Sequence, residues 1–158
     1  MTRTQTGAGT ARLNSLAGWA GYLGVLPLVA CLAGVGLLPE YAARELAQRI
    51  ALAWGAVALA CAGALHWGLA LGGRLSWDLA RSGCALAPAV LATLAVVLGG
   101  QHGLAVLVIG TGGFWLYEHR VLGQELPPGY LDRRRPLALA SCMLLTLTMF
   151  VSDSAGLP

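Results

Sequence analysis

His66 and Trp67 are the residues of this chain whose types and placement best suit chemistry inside an apolar run. They sit near the end of the stretch Trp54 to Leu71, WGAVALACAGALHWGLAL. An imidazole can carry a proton, ligate a metal, or donate and accept hydrogen bonds. A polar side chain in a long apolar helix is costly and is often functional. With helical spacing, Trp67 lies about 40° to one side of Gly63 and His66 about 60° to the other. The two therefore flank a groove floored by Gly63. Ala56, Ala60, Ala64 and Gly68 recur at every fourth position beside it, a spacing that lets helix backbones approach closely. Gly63, His66, Trp67, Gly68 and, from a later apolar run, Pro88 form the candidate ligand or helix-packing site. A hydrogen bond to a carbonyl of a neighbouring helix would satisfy His66 as a structural residue, and that is its expected role. Haem ligation or a proton relay is the competing reading. Haem would want a second axial ligand. His102 falls at the opposite end of the helices and His119 lies among loop charges, so no cofactor is expected.

The remaining polar residues point to anchoring. Glu118, His119 and Arg120 close an apolar run and read as an interfacial anchor, with Glu118 placed to pair with an Arg of the run 133–135. Arg133, Arg134 and Arg135 are candidate contacts for anionic lipid headgroups. Cys31, Cys61, Cys84 and Cys142 lie in apolar blocks with no paired spacing, so neither a disulfide nor a metal site is expected. The chain has no phosphate loop, no zinc-protease motif and no Ser/His/Asp arrangement. No catalytic residue is assigned, and the expectation is that the protein is not an enzyme.

The elements that position these residues follow from composition. Of 158 residues, 57% are hydrophobic and 11% charged, against about 25% charged in soluble domains. Mean hydropathy is +0.70. The apolar residues fall in blocks long enough to cross roughly 30 Å of hydrocarbon as helices. The expected fold is all-α, a polytopic membrane helical bundle of about five transmembrane helices. The spans are about 16–38, 50–72, 79–98, 104–120 and 136–151, with a disordered cytoplasmic tail over 1–15 and a short tail over 153–158. The first block is too long for a secretory signal core and is read as a retained helix. Pro39 and Glu40 end it, and a short amphipathic connection carrying Glu45 and Arg49 follows. Gly72-Gly73 ends the second helix, which the small-residue strip marks as the central one. Pro88 lies inside the third helix. The stretch Gly99 to Gly103 reads as a tight turn, and Pro136 suits a first helical position.

Positive charge sets the orientation. The ten basic residues are all Arg, with a net charge of +3, too small an excess to argue for nucleic acid. The N-terminal tail, second loop and fourth loop hold eight of them: Arg3, Arg12, Arg74, Arg81, Arg120 and Arg133 to Arg135. The first loop holds two, Arg44 and Arg49. Positive residues stay inside, so the N-terminus is expected in the cytoplasm and the C-terminus in the periplasm. Trp19, Tyr22, Trp77, Trp115, Tyr117 and Tyr130 fall near the expected interfaces, as an aromatic belt would.

Three segments resemble, in order, a family of small uncharacterised membrane proteins, domain of unknown function 3429 (transmembrane protein 69-like). GYLGVLP, Gly21 to Pro27, resembles its Gly-rich opening. WGAVALACAGALHWGLAL resembles its aromatic-Gly start, apolar core and His-Trp-Gly ending. LPPGYLDRRRPLA, Leu126 to Ala138, resembles its closing stretch. Trp54 replaces a usual Tyr, Ala60 and Cys61 a Ser-Phe pair, and Gly129 a Trp. The resemblance implies a multi-span protein of a bacterial inner or mitochondrial inner membrane, here the bacterial one, and implies no reaction.

The expected function is a non-catalytic accessory or assembly component of a membrane complex. The alternative is a small transporter or ligand-binding bundle that uses the His66/Trp67 groove. The expected partners are the lipid bilayer and other membrane proteins or a second copy of the chain.

Overall fold

The computed structural model of the chain describes residues 22–73, 78–122 and 130–157. Five helices account for nearly all of them: α1 Leu26–Leu37, α2 Tyr41–Leu71, α3 Leu79–Leu98, α4 Gly100–Val121 and α5 Tyr130–Ser154. Tyr41–Leu71, Arg81–Leu98 and Tyr130–Ser154 are each long and apolar enough to cross a membrane, and α1 is a shorter apolar helix. The expected tail 1–15, Trp19, Arg74, Trp77 and Gly129 lie outside the described residues.

Each helix boundary has a local cause. Pro27 lies in the first turn of α1, where a missing N–H leaves no bond unmade. A turn precedes α1, in which the Val25 N–H donates to the Tyr22 carbonyl at 3.0 Å, and the expected start at 16 lies outside the described residues. Leu38, held extended by Pro39 after it, ends α1. The chain resumes at once as α2, so the amphipathic connection expected over 39–49 is mostly the first turns of that helix. There Arg49 pairs with Glu45 at 2.6 Å. Gly99 reverses the chain between α3 and α4 at φ 65°, ψ −177°, a conformation open to glycine alone. Gly100 follows at φ 49°, and α4 starts there instead of at 104. α5 starts at Tyr130, six residues before Pro136, which sits inside the helix. Asp132 in its first turn favours this earlier start through the helix dipole.

The helices form a ring in chain order. α1 packs on α2, α2 on α3, α3 on α4, α4 on α5, and α5 returns to α1. α2 also touches α4 and α5, so it is the central helix. Its inward stripe is Gln48, Leu52, Gly55, Leu59, Ala62 and His66, spaced by threes and fours. The stripe on α4 is Leu104, Leu107, Thr111, Phe114 and Glu118. Their shared core includes Leu28, Ala56, Ala92, Ala95 and Leu145. Close approach depends on two glycines. A Cβ on Gly63 would overlap the Ala85 carbonyl oxygen and crowd Pro88, and one on Gly103 would overlap the Ala95 carbonyl oxygen. At the end of the bundle that carries the α1–α2 and α3–α4 turns, Leu157 folds back onto Val35 and Ala47. Gln101 holds it there by donating to Asp153 Oδ1 at 3.1 Å and to the Leu157 carbonyl at 3.2 Å.

Candidate functional site

At the opposite end, the last turns of α2 and α4 meet the first turns of α5. Four polar side chains converge there. His66 comes from α2, Glu118 from α4, and Tyr130 and Arg134 from α5. Glu118 is the centre, with 0% of its surface exposed. Its Oε2 accepts from Arg134 Nε at 3.2 Å, and its Oε1 accepts from the Tyr130 hydroxyl at 3.1 Å. His66, 6% exposed, brings Nε2 to 3.5 Å from Glu118 Oε1. A buried carboxylate is tolerable only when paired and hydrogen-bonded. Arg134 supplies the opposite charge, and Tyr130 occupies the second oxygen.

His66 is held from three sides. Its Nδ1 lies 3.1 Å from the Ala62 carbonyl, one turn back in the same helix. The bond therefore stays within α2, whereas the expected partner was a carbonyl of a neighbouring helix. Phe114 meets the imidazole edge-on with ring centroids 5.1 Å apart. Nε2 faces Glu118 but makes no hydrogen bond. The next residue on α2, Trp67, is half-buried and also has a partner.

The other sequence-level candidates separate into distinct places. Gly63 packs against α3 at Ala85 and Pro88, and Pro88 is fully buried. Gly68 does not share in that packing: nothing lies within 4 Å of a Cβ placed on it. With Ala64 it is exposed, on a shallow apolar groove lined also by Cys61, Leu65, Leu69 and Tyr130. Helix geometry gives the reason. The buried stripe of α2 runs through Ala62 and Gly63, and positions 64 and 68 are turned about 100° or more from its centre line. Glu118, His119 and Arg120 do not act as one anchor. Glu118 points inward, whereas His119 is exposed and stacks on Trp115 at a centroid distance of 5.7 Å, and Arg120 is exposed. Arg134 is the member of the 133–135 run that pairs with Glu118. Arg135 is exposed, and Arg133, also exposed, has a partner of its own. Among the described residues no three His, Cys, Asp or Glu side chains are grouped to hold a metal ion.

The segments that carry the family resemblance touch at two points. The Trp54 indole N–H donates to the Gly24 carbonyl at 2.7 Å. That carbonyl faces the start of α1, where Pro27 has no N–H to offer. At the other point, His66 of the His-Trp-Gly element meets Glu118, which Tyr130 and Arg134 of the closing stretch hold. Glu118 lies in none of the three segments and is the residue that joins two of them.

No curated protein and no solved structure matches the chain. The model of the family described as "Protein of unknown function (DUF3429)" matches residues 13–150, and the chain belongs to that family.

Proposed function

We propose that this member of the DUF3429 family is a five-span protein of the bacterial inner membrane and a non-catalytic accessory or assembly component of a larger membrane complex. The observation that carries the membrane reading is the inside-out distribution of side chains. Large apolar residues face outward on every helix, among them Leu37, Val57, Val90, Val97, Ile109, Met143 and Phe150, each more than half exposed. The buried polar residues are Gln48, His66, Thr111, Glu118, Thr148 and Ser152. Water would penalise that surface, and lipid would not. α4 has 22 residues and spans about 33 Å, enough for the hydrocarbon. α2 has 31 residues and spans about 46 Å, so its first turns, with Arg44, Glu45 and Arg49, stand clear of the core at the headgroups. The buried cluster lies at the end that carries Arg81, Arg120 and Arg133 to Arg135, which the bias of positive residues assigns to the cytoplasm.

The accessory role rests on how that cluster is filled. Both oxygens of Glu118 are taken by groups of the same chain, so the cluster ties α4 to α5 beside His66 of α2. The broad surfaces that remain are apolar helix faces, suited to lipid or to the helices of a partner. Arg135, exposed at the start of α5, is the group best placed for an anionic headgroup. Purification from native membranes in mild detergent, with mass spectrometry of co-purifying proteins, tests the role. A stoichiometric partner is expected. A lone chain or homo-oligomer would contradict the accessory reading. It would favour instead the small transporter or ligand binder, a reading supported by the unsatisfied Nε2 of His66.

A further inference from the structure

We propose that His66 and Glu118 form a binding site for a single proton, which bridges α2 to α4 at the buried end of the bundle. A carbonyl oxygen only accepts, so His66 Nδ1, 3.1 Å from the Ala62 carbonyl, carries a hydrogen. In a neutral imidazole the other nitrogen is then a bare acceptor. That nitrogen, Nε2, is buried without a hydrogen-bond partner. It faces Glu118 Oε1 at 3.5 Å, and a carboxylate oxygen is also an acceptor. The hydroxyl hydrogen of Tyr130 is already given to that same oxygen, and the Nε hydrogen of Arg134 to the other. Phe114, on the face of the ring, offers no conventional donor.

Two desolvated acceptors point at each other, and one proton is missing between them. A proton taken from water onto Nε2 repairs the contact. The imidazolium then donates to the carboxylate, a charge-assisted bond, and no other bond forms or breaks. The site gains one positive charge, and Glu118 and Arg134 keep theirs. The ionisable groups around the pair come from every helix packed there. α4 gives Glu118 itself, and His119 beside it turns outward onto Trp115. α5 gives Arg134 and Tyr130. The first turn of α3, at this end, gives Arg81, and Asp78 stands just before the helix. The described part of α1 has no charged residue. The proton is therefore a removable link between α2 and the α4–α5 pair, and this holds for a lone bundle and for a complexed one alike.

Solid-state NMR of the full chain, 15N-labelled at histidine and reconstituted in phospholipid vesicles, reads the site directly. The three histidines are assigned with His102→Gln and His119→Gln, both at exposed positions. Between about pH 8.5 and 5, a range that brackets the ordinary imidazole titration, Nε2 of His66 should pass from bare to protonated in one step, with Nδ1 protonated throughout. Glu118→Gln offers an amide donor to Nε2, so it should hold the neutral ring and leave Nε2 without the proton under conditions in which the unsubstituted protein carries it. A His66 whose Nε2 stays bare over the whole range in the unsubstituted protein overturns the proposal. So does a step that Glu118→Gln leaves in place.

Discussion

Glu118 is a carboxylate with no exposed surface in a chain whose outer faces are apolar, and its environment has to cancel its charge. Arg134 does so at 3.2 Å, with its own side chain 19% exposed. Removing one partner of a buried pair strands the other, typically at a cost of about 3–5 kcal/mol. Arg134 keeps some contact with solvent, so the lower end of that range applies. Arg134→Met keeps the bulk of the stem and removes the charge. It should destabilise the bundle by about 3 kcal/mol, measured as equilibrium unfolding in mixed micelles. Arg135→Met, at an exposed position one residue along, should cost less than about 0.5 kcal/mol. Equal effects would remove Arg134 from its structural role. The pairing of Glu118 with the 133–135 run was legible from charge alone. Which Arg makes the pair was not, because that depends on where α5 begins, and the helix starts before Pro136 instead of at it. The burial of Glu118 was hidden by its neighbours. His119 and Arg120 made the triplet look solvated, although Leu104, Leu107, Thr111, Phe114 and Glu118 keep helical spacing throughout.

At the scale of elements, glycine positions decide how closely α2 approaches the helices around it. Gly63 has the Ala85 backbone carbonyl where a Cβ would go, and Gly68 has open space. Gly63→Ala should therefore destabilise by about 1–3 kcal/mol through overpacking against backbone that cannot yield. Gly68→Ala should be neutral or stabilising by up to about 1 kcal/mol, from helix propensity alone. Thermal unfolding of both variants in the same detergent separates them, and the reverse order would displace α3 from the Gly63 face. From the sequence, the small-residue strip identified the right helix and placed its packing face about one residue off. A strip of Ala and Gly marks where backbones can come close, on more than one side. The larger residues Leu52, Leu59 and His66 set which side turns inward. Helix ends were legible where Pro or Gly acts within one residue, as at Pro39 and Gly72. They were less legible at Tyr41 and Tyr130, where polar first turns of long helices read as loops.

At the scale of the whole molecule, the bundle has two ends of different character. One is closed by apolar contacts, with Leu157 seated on Val35 and Ala47. The other is closed by the His66–Glu118–Arg134–Tyr130 cluster and carries most of the arginines. The helical class and the membrane-length apolar runs were plain in the composition. The cluster was not, since its members lie far apart in the chain and meet only because five helices close into a ring. We propose that these helices cross the membrane five times, with the arginine-rich end in the cytoplasm. Alkaline phosphatase folds into active enzyme only where disulfides form, outside the cytoplasm. A phosphatase fused after Pro158 should therefore be active, and one fused in the loop between α4 and α5 inactive. A well-expressed but inactive fusion after Pro158 would contradict the five-span bundle and the orientation assigned to its buried cluster.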